Sequence, residues 1–394
     1  MVPNDAPKFL LQRSVAVIST PISSDFLCRH LGAPLCINYY LEHGKGTAQK
    51  GIYLGQLNNM LIALPPLAEQ RRIVAKIDQL MARCDELEKL RSDRAQKLIT
   101  VHTAALNRLL TAQDNDDFTA AWHFITQHFS ELYSVKETVA ELRKTILQLA
   151  VMGKLVPQDP NDEPVDHLLS RVLVEREKLN LGKLKESQPQ PLEYEIPIHW
   201  KWKCLGSILV SGPTNGFSPK AVDYETSVRS LTLSATTSGK FKGEHSKFIA
   251  NEISPDSNLW LCDGDILVQR GNTLEYVGVS AVYRGEPNRF IYPDLMMKLR
   301  VSSEIDTNFI YLAMSSEPCR NFLRSRASGT SGTMPKINQT TLKSLPLPLP
   351  PLAEQHRIVA KLDQLMALCD RLEGAISAAQ TKQTDLLNAV MAQV

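Results

Sequence analysis

Apolar residues near the C-terminus recur at gaps that alternate four and three: Ile358, Leu362, Leu365, Cys369, Leu372 and Ile376, then Ala379, Leu386 and Val390, with Gln383 interrupting the stripe. That spacing predicts one long helix with a narrow apolar seam, the pattern of a coiled coil. A second stripe of the same kind runs through Ile73, Ile77, Leu80, Cys84 and Leu87 and resumes at Leu98, Val101 and Ala105. A narrow seam wants a partner helix, and the obvious partner of each is the other copy, in the same chain or in a second one. A helix over 352–393 would be about 60 Å long at 1.5 Å per residue, a ruler rather than a globule. Between the seams the pattern predicts a helix over 118–152, with Leu132, Val135, Val139, Leu142, Ile146 and Leu149 on one face and Gly153 as its stop. A Pro- and Asp-rich turn at 154–164, a short helix over 165–180 and a linker at 181–192 follow. From about Tyr194 the period shortens, with strands expected at 266–269, 277–283 and 295–300 and helical material near 307–325.

The two seams belong to a duplication. Residues 64–88 read LPPLAEQRRIVAKIDQLMARCDELE and residues 349–373 read LPPLAEQHRIVAKLDQLMALCDRLE; they differ only at Arg71/His356, Ile77/Leu362, Arg83/Leu368 and Glu86/Arg371. A repeat this widely spaced means a large unit copied, not a solenoid. The upstream flanks correspond more loosely, Gly44 with Gly329, Ile52 with Ile337 and Leu57 with Leu342. Polar positions such as Glu69/Glu354 and Lys76/Lys361 match as well, which packing alone does not require. Related partners for the two helices would explain that likeness, and so would a recent duplication.

Composition narrows the class without naming it. A chain of 394 residues suggests two or three folding units. Lys and Arg number 44 against 42 Asp and Glu, so the net charge of +2 excludes a histone-like protein but not a local basic surface. No apolar run is long enough for a membrane span, and residues 1–5 lack the features of a secretory signal. Seven scattered cysteines form no Cys-x-x-Cys pair, which fits reduced thiols in a cytoplasmic protein.

Candidate chemistry lies in the α+β stretch, which is only mildly basic. Arg320, Arg324, Arg326, Lys336 and Lys343 occupy a stretch without an acidic residue and flank a small-residue loop that includes Ser328, Thr330 and Ser331. Free backbone N–H groups and flanking cations suit a phosphate backbone, although a solvated loop has the same composition. Gln269, Arg270, Asn272 and Thr273 sit just past an expected strand, and Arg, Gln and Asn can pair bidentately with base edges. Asn338, beside Lys336, completes the set. Trp200 and Trp202 alternate with Lys201 and Lys203, which reads as a strand with its indoles in the core.

With two long helices and a polar, loop-rich domain bounded by LPLPPLAEQ, the chain resembles the DNA specificity subunit of type I restriction–modification systems. The resemblance rests on both LPPLAEQ-x-RIVAK copies, KLVPQDP at 154–160, EIPIHWKW at 195–202, DGDILV at 263–268 and PKIN at 335–338, and covers nearly the whole chain. It implies an α+β architecture with target recognition domains that each read half of a split DNA sequence, joined by long helices that form an antiparallel coiled coil and dock methyltransferase subunits. On that plan residues 1–65 are the distal remnant of a first recognition domain and 66–113 the first coiled-coil helix. Residues 114–192 hold the second helix, turn and linker, 193–350 a complete recognition domain, and 351–394 the C-terminal coiled-coil helix. The counterpart of Trp200 would fall before residue 1, so one half-site reader per chain is expected, acting as a homodimer or with a complementary fragment. The rival reading is a coiled-coil scaffold, or an inactive remnant, that binds protein partners without reading DNA.

Catalytic motifs are absent from the sequence. It has no phosphate-binding Gly-x-x-x-x-Gly-Lys-Ser/Thr, no dinucleotide fingerprint and no amino-methyltransferase signature. Glu175, Glu177 and Lys178 have a nuclease-like spacing but fall on a charged helix, and His123 and His128 find no metal-ligating companions. The resemblance therefore implies a non-enzymatic chain that binds no cofactor. S-adenosylmethionine and ATP would belong to methyltransferase and restriction partners, and double-stranded DNA would be the shared ligand.

Overall fold

The computed structural model describes residues 15–44, 51–182, 188–329 and 334–392, in two units: residues 1–98 and residues 99–394. In the first unit α1 (Ser24–Leu31) starts where the Ser23 hydroxyl accepts the Phe26 N–H, and it ends on Arg29 and His30, suited to a helix C-terminus. α2 (Pro34–His43) opens on a proline at its first position. α3 (Leu54–Asn58) is closed at its start by Gln56, whose Oε1 accepts the Tyr53 N–H at 3.0 Å. α4 (Leu67–Thr111) then runs out of Pro65-Pro66 and carries the first seam. Its junction is fixed by Gln70, which is buried: Nε2 donates to the Pro65 carbonyl at 2.8 Å and Oε1 accepts the Ser23 N–H at 3.0 Å.

The end of α4 belongs to the second unit. His102, Ala105, Leu106 and Leu109 are buried there, as are Ala121 and Ile125 of α5 (Asn115–Gln127) and Leu132 of α6 (Phe129–Leu132). The Tyr133 ring meets His102 edge-on at 5.1 Å. The single helix expected over 118–152 is thus three, the third being α7 (Lys136–Val151). His128 and Tyr133 leave helical backbone angles and Val135 is extended, while the hydroxyls of Ser134 and Thr138 take up the Glu131 and Val135 carbonyls. Gly153 ends α7 as expected, with φ +70° and the Lys154 N–H on the Leu149 carbonyl at 2.9 Å. The Lys154 ammonium reaches back to the Leu110 and Ala112 carbonyls, capping α4. α8 (Val165–Lys178) follows; its Glu175 accepts from the Ser302 hydroxyl and the Ser303 N–H, a structural task rather than a nuclease one.

The α+β domain opens on β1 (Lys201–Cys204) and continues through β2 (Leu209–Asn215), β3 (Ala221–Val222), β4 (Arg229–Leu231), β5 (Ser246–Ile249), β6 (Ile266–Gln269), β7 (Ser280–Val282), β8 (Phe290–Ile291) and β9 (Met296–Val301). Helices α9 (Thr307–Ser315), α10 (Glu317–Ser325) and α11 (Gln339–Lys343) lead to β10 (Pro346–Leu349). One antiparallel sheet has the order β2-β9-β6-β7; another, β3-β5-β4-β8, holds a parallel β4–β8 pair. β1 pairs with β10, Lys201 opposite Leu349, which ties the domain's entry to its exit. Leu231, Leu261, Leu267, Tyr283, Tyr292 and Met296 form one buried cluster. The expected strand over 277–283 is shorter, because 277–279 form a turn in which Gly278 has φ +78°. A Cβ there would lie 2.6 Å from Leu323 Cδ1.

α12 (Leu352–Met391) completes the chain. Ile358, Leu362, Cys369 and Ile376 of its seam are buried, and Leu365 and Leu372 half-buried. The covering helix is α7, which the seam argument did not anticipate. Arg143 of α7 reaches Asp370 at 2.6 Å and Glu373 at 3.2 Å, while Gln158, beyond the C-terminal end of α7, reaches Glu354 at the start of α12. The two helices therefore run antiparallel. In the first seam Ile73 and Ile77 are half-buried, while Leu80, Cys84 and Leu87 are exposed among the described residues. Gln355 repeats the work of Gln70: Nε2 donates to Pro350 O at 2.9 Å and Oε1 accepts the Asp306 N–H at the start of α9 at 3.0 Å.

Candidate functional site

Two polar segments far apart in sequence meet at one edge of the α+β domain. Past the end of β6, the Arg270 N–H donates to Leu295 O at 2.9 Å and the Arg270 carbonyl accepts the Ile337 N–H at 2.8 Å. Gly271 forms a bridge with Lys336, and Ser328 and Lys336 exchange backbone hydrogen bonds of 2.8 and 2.9 Å. The turn after β6 is thus stitched to both ends of the small-residue loop. A Cβ on Gly271 would lie 3.0 Å from Lys336 Cγ and 3.1 Å from Leu295 Cδ2, which explains glycine between an Arg and an Asn. The result is an open cleft of about 480 Å³ lined by Arg270, Ser328, Gly329, Met334, Lys336, Ile337 and Asn338.

Lys336 and Arg326 are exposed, and among the described residues no ion pair uses them or Arg270. The Arg270 Nε is buried without a hydrogen-bond partner. Arg326 lies over the Phe322 ring, 3.7 Å from its centroid, and its Nη1 donates to Phe322 O, so the cation is held in place without being neutralised. Ser328 and Asn338 are exposed at the rim; Asn338 also caps α11 by accepting the Thr341 N–H at 2.8 Å.

Other sequence candidates have different tasks. Gln269 is 0% exposed. Its Nε2 donates to Leu233 O, Thr236 Oγ1 and Thr237 Oγ1, and its Oε1 accepts from Asn272 Nδ2 at 2.8 Å, so no polar atom remains for a base. It closes the end of a strand buried on both faces, and Asn272 is half committed to holding it. Thr273 is exposed, and its carbonyl accepts the Tyr276 N–H. Arg324 is half-buried and already engaged: Nη1 pairs with Glu317 at 3.0 Å and Nη2 donates to the Glu275 carbonyl at 3.3 Å. Arg320, buried beside it, donates to the same carbonyl at 2.7 Å, and burial with help from Arg324 pushes its pKa down to about 10. Together they brace the turn after β6 from behind. Thr330 and Ser331 lie outside the described residues.

Sequence reasoning missed Met334 and Ile337 among the residues that line the cleft, and the bracing role of Arg320. Within DGDILV, Asp265 is buried, its Oδ1 2.7 Å from Arg300 Nη2 and its Oδ2 accepting the Cys262 N–H. Trp200 is buried as expected, but its indole N–H is paired with Glu354 at 2.9 Å. Among the described residues no group of three or more His, Cys, Asp or Glu could hold a metal ion, and no helix is long and apolar enough to cross a membrane. A rigidly stitched, open cleft with unpaired cations and hydroxyl and amide groups can bind an anionic backbone and present donors to base edges.

A family model for the type I restriction modification DNA specificity domain matches residues 3–97 and 199–379. The EcoEI type I restriction enzyme specificity subunit of Escherichia coli is 32% identical over 394 residues, covering 95% of this chain and 66% of that protein. The EcoAI specificity subunit of the same species is 32% identical over 359 residues, covering 87% and 59%. The chain therefore spans just under two thirds of the first relative's length and less of the second's. A solved structure from work on complex assembly and conformational transition of the type I R-M system gives a TM-score of 0.51 at 20% identity, covering 93% of this chain and 69% of that one. That likeness is one of fold.

Proposed function

The chain belongs to the type I restriction modification DNA specificity family, and from that premise we propose that it is a non-catalytic subunit that addresses methyltransferase and restriction partners to DNA. The observation that carries this reading is the cleft itself, where Arg270 and Lys336 are brought together by backbone bridges and have no acidic partner among the described residues. Lys336, with Arg326 nearby in sequence, would neutralise phosphates, and Arg270 with Asn338 and Ser328 would face base edges. S-adenosylmethionine and ATP would be bound by the partner subunits, and the complex would work in the cytoplasm.

Methylation mapping with the partner subunits present would give the target, and duplexes carrying it then allow two variants to be compared. Lys336→Glu is expected to weaken binding to every sequence and lower the salt slope of log K by about one. Arg270→Ala is expected to relax preference at one base pair, worth about 1–3 kcal/mol, with less effect on unrelated duplexes. Unchanged affinity in both variants would refute the assignment of the cleft and favour a protein-binding scaffold.

A further inference from the structure

The second sheet of the α+β domain carries cations that the cleft does not use. Phe248 of β5, Arg229 of β4 and Phe290 of β8 lie in register across three strands, so their side chains share one face. The Arg229 guanidinium stands 5.0 Å from the Phe248 ring centroid and 5.9 Å from that of Phe290. Arg289 also lies over Phe290, at 5.4 Å. Phe241 meets the same ring edge-on at 5.8 Å, and a Cβ on Gly243 would stand 3.0 Å from its Cζ. The segment bearing Lys240 and Lys242 therefore closes over Phe290 as well.

Lys240, Lys242 and Arg289 are exposed and Arg229 is half-buried. Among the described residues no ion pair or side-chain hydrogen bond uses any of the four, and the buried Nε of Arg229 has no partner. Arg284, close by in sequence, is by contrast paired with Asp263 at 3.1 Å. Contact with an aromatic ring fixes a guanidinium without cancelling its charge, and it leaves the in-plane N–H groups for an oxygen acceptor. These cations come from β4, the residue before β8 and a loop, each held separately. That arrangement suits a chain of anions better than a single carboxylate.

The segment between β4 and β5 also joins this face to the turn that carries Arg270. Gln269 holds its start: Nε2 donates to Leu233 O at 3.1 Å and to Thr236 Oγ1 at 3.0 Å, while Oε1 accepts from Asn272 Nδ2 at 2.8 Å. Tyr311 of α9 holds its middle, donating to Gly239 O at 2.7 Å. The segment thus leaves the turn after β6 at one end and reaches Phe290 at the other. We propose that Arg229, Lys240, Lys242 and Arg289 form a second DNA contact, a sequence-indifferent track for the phosphate backbone of the duplex whose bases meet the cleft. The proposal rests on the DNA reading of the chain and divides the labour within it. Cations fixed against the rings of a sheet position a duplex and add affinity, whereas preference among sequences stays with Arg270 and its neighbours.

The test is fluorescence anisotropy on the full chain with its partner subunits, using one labelled duplex that carries the mapped target and one with that target scrambled. Lys240→Gln, Lys242→Gln and Arg289→Gln are combined in one variant, since all three side chains are exposed and their loss leaves the core intact. It is expected to bind both duplexes more weakly, on the order of a hundredfold at physiological salt, and to lower the salt slope of log K by about 0.9 per cation removed. The ratio of the two affinities should not change. Adding Arg229→Gln should weaken both further, and Arg229→Lys in its place should restore that increment. Unchanged affinity and slope in the triple variant, with Lys336→Glu still weakening both duplexes, overturns the track and leaves the cleft standing. A changed ratio overturns it too, because the patch would then read bases. So does loss of a partner subunit with DNA affinity intact, which would assign the patch to an acidic protein surface. A weakened triple variant beside a silent Lys336→Glu would fault the cleft and support the track.

Discussion

Glu354 shows how one carboxylate can be both required and uncomfortable. Burial pushes its pKa above the usual carboxylate range, against the opposing pull of the Trp200 and Gln158 hydrogen bonds and of Arg357. A carboxyl whose folded pKa is raised binds more protons folded than unfolded. Its contribution to stability is therefore full below the ordinary value and is lost as pH rises through the folded one. Glu354→Gln keeps an oxygen acceptor for the indole and removes the titration. Urea midpoints measured from just above the ordinary carboxylate value to neutrality should show the variant gaining on the parent as pH rises; a parent that gains on the variant would contradict the burial argument. Residue types at this scale were legible in the sequence, but orientation was not. The turn after β6 and the 328–338 loop were both found, yet Gln269 and Arg270 stood as equals. A strand buried on both faces turns its last side chain inward, where Gln269 meets Leu233, Thr236 and Thr237, and no period-2 pattern along β6 marks which neighbour escapes.

At the scale of elements, the seams were read correctly as helices, and α4 and α12 differ from expectation by a residue or two at their ends. Spacing cannot name a partner, however, since α7 offers an apolar face as good as another copy of the seam. The breaks at His128 and Tyr133 were invisible for a related reason: hydroxyl-to-carbonyl bonds that end helices leave the apolar period almost intact. The duplication makes the difference in covering measurable. Cys84 and Cys369 occupy equivalent places among nearly identical neighbours, but Cys84 is exposed, and Cys369 is buried with its thiol pKa raised by that burial. In the native chain, maleimide is expected to modify Cys84 at least about tenfold faster than Cys369, and the two should react alike in urea. Peptide mapping by mass spectrometry reads both rates in one sample. Equal native rates would mean that α7 does not cover α12 in solution.

The whole molecule divides unequally in the apolar surface each unit buries. Within the first unit the buried apolar side chains among the described residues are Phe26, Leu27 and Cys36, while Leu35, Leu41, Leu54, Leu61 and Leu64 stand exposed. In the second, the cluster around Leu267, Tyr283 and Met296 is closed, and a buried Asp265 held by Arg300 adds a charge that must remain paired. Local opening energy follows buried contact, so the two units should not open together. Hydrogen exchange at neutral pH is expected to be more than about a hundredfold faster at amides of α1 and α2 than at those of β6 and β9. Comparable protection in the two units would sink this view.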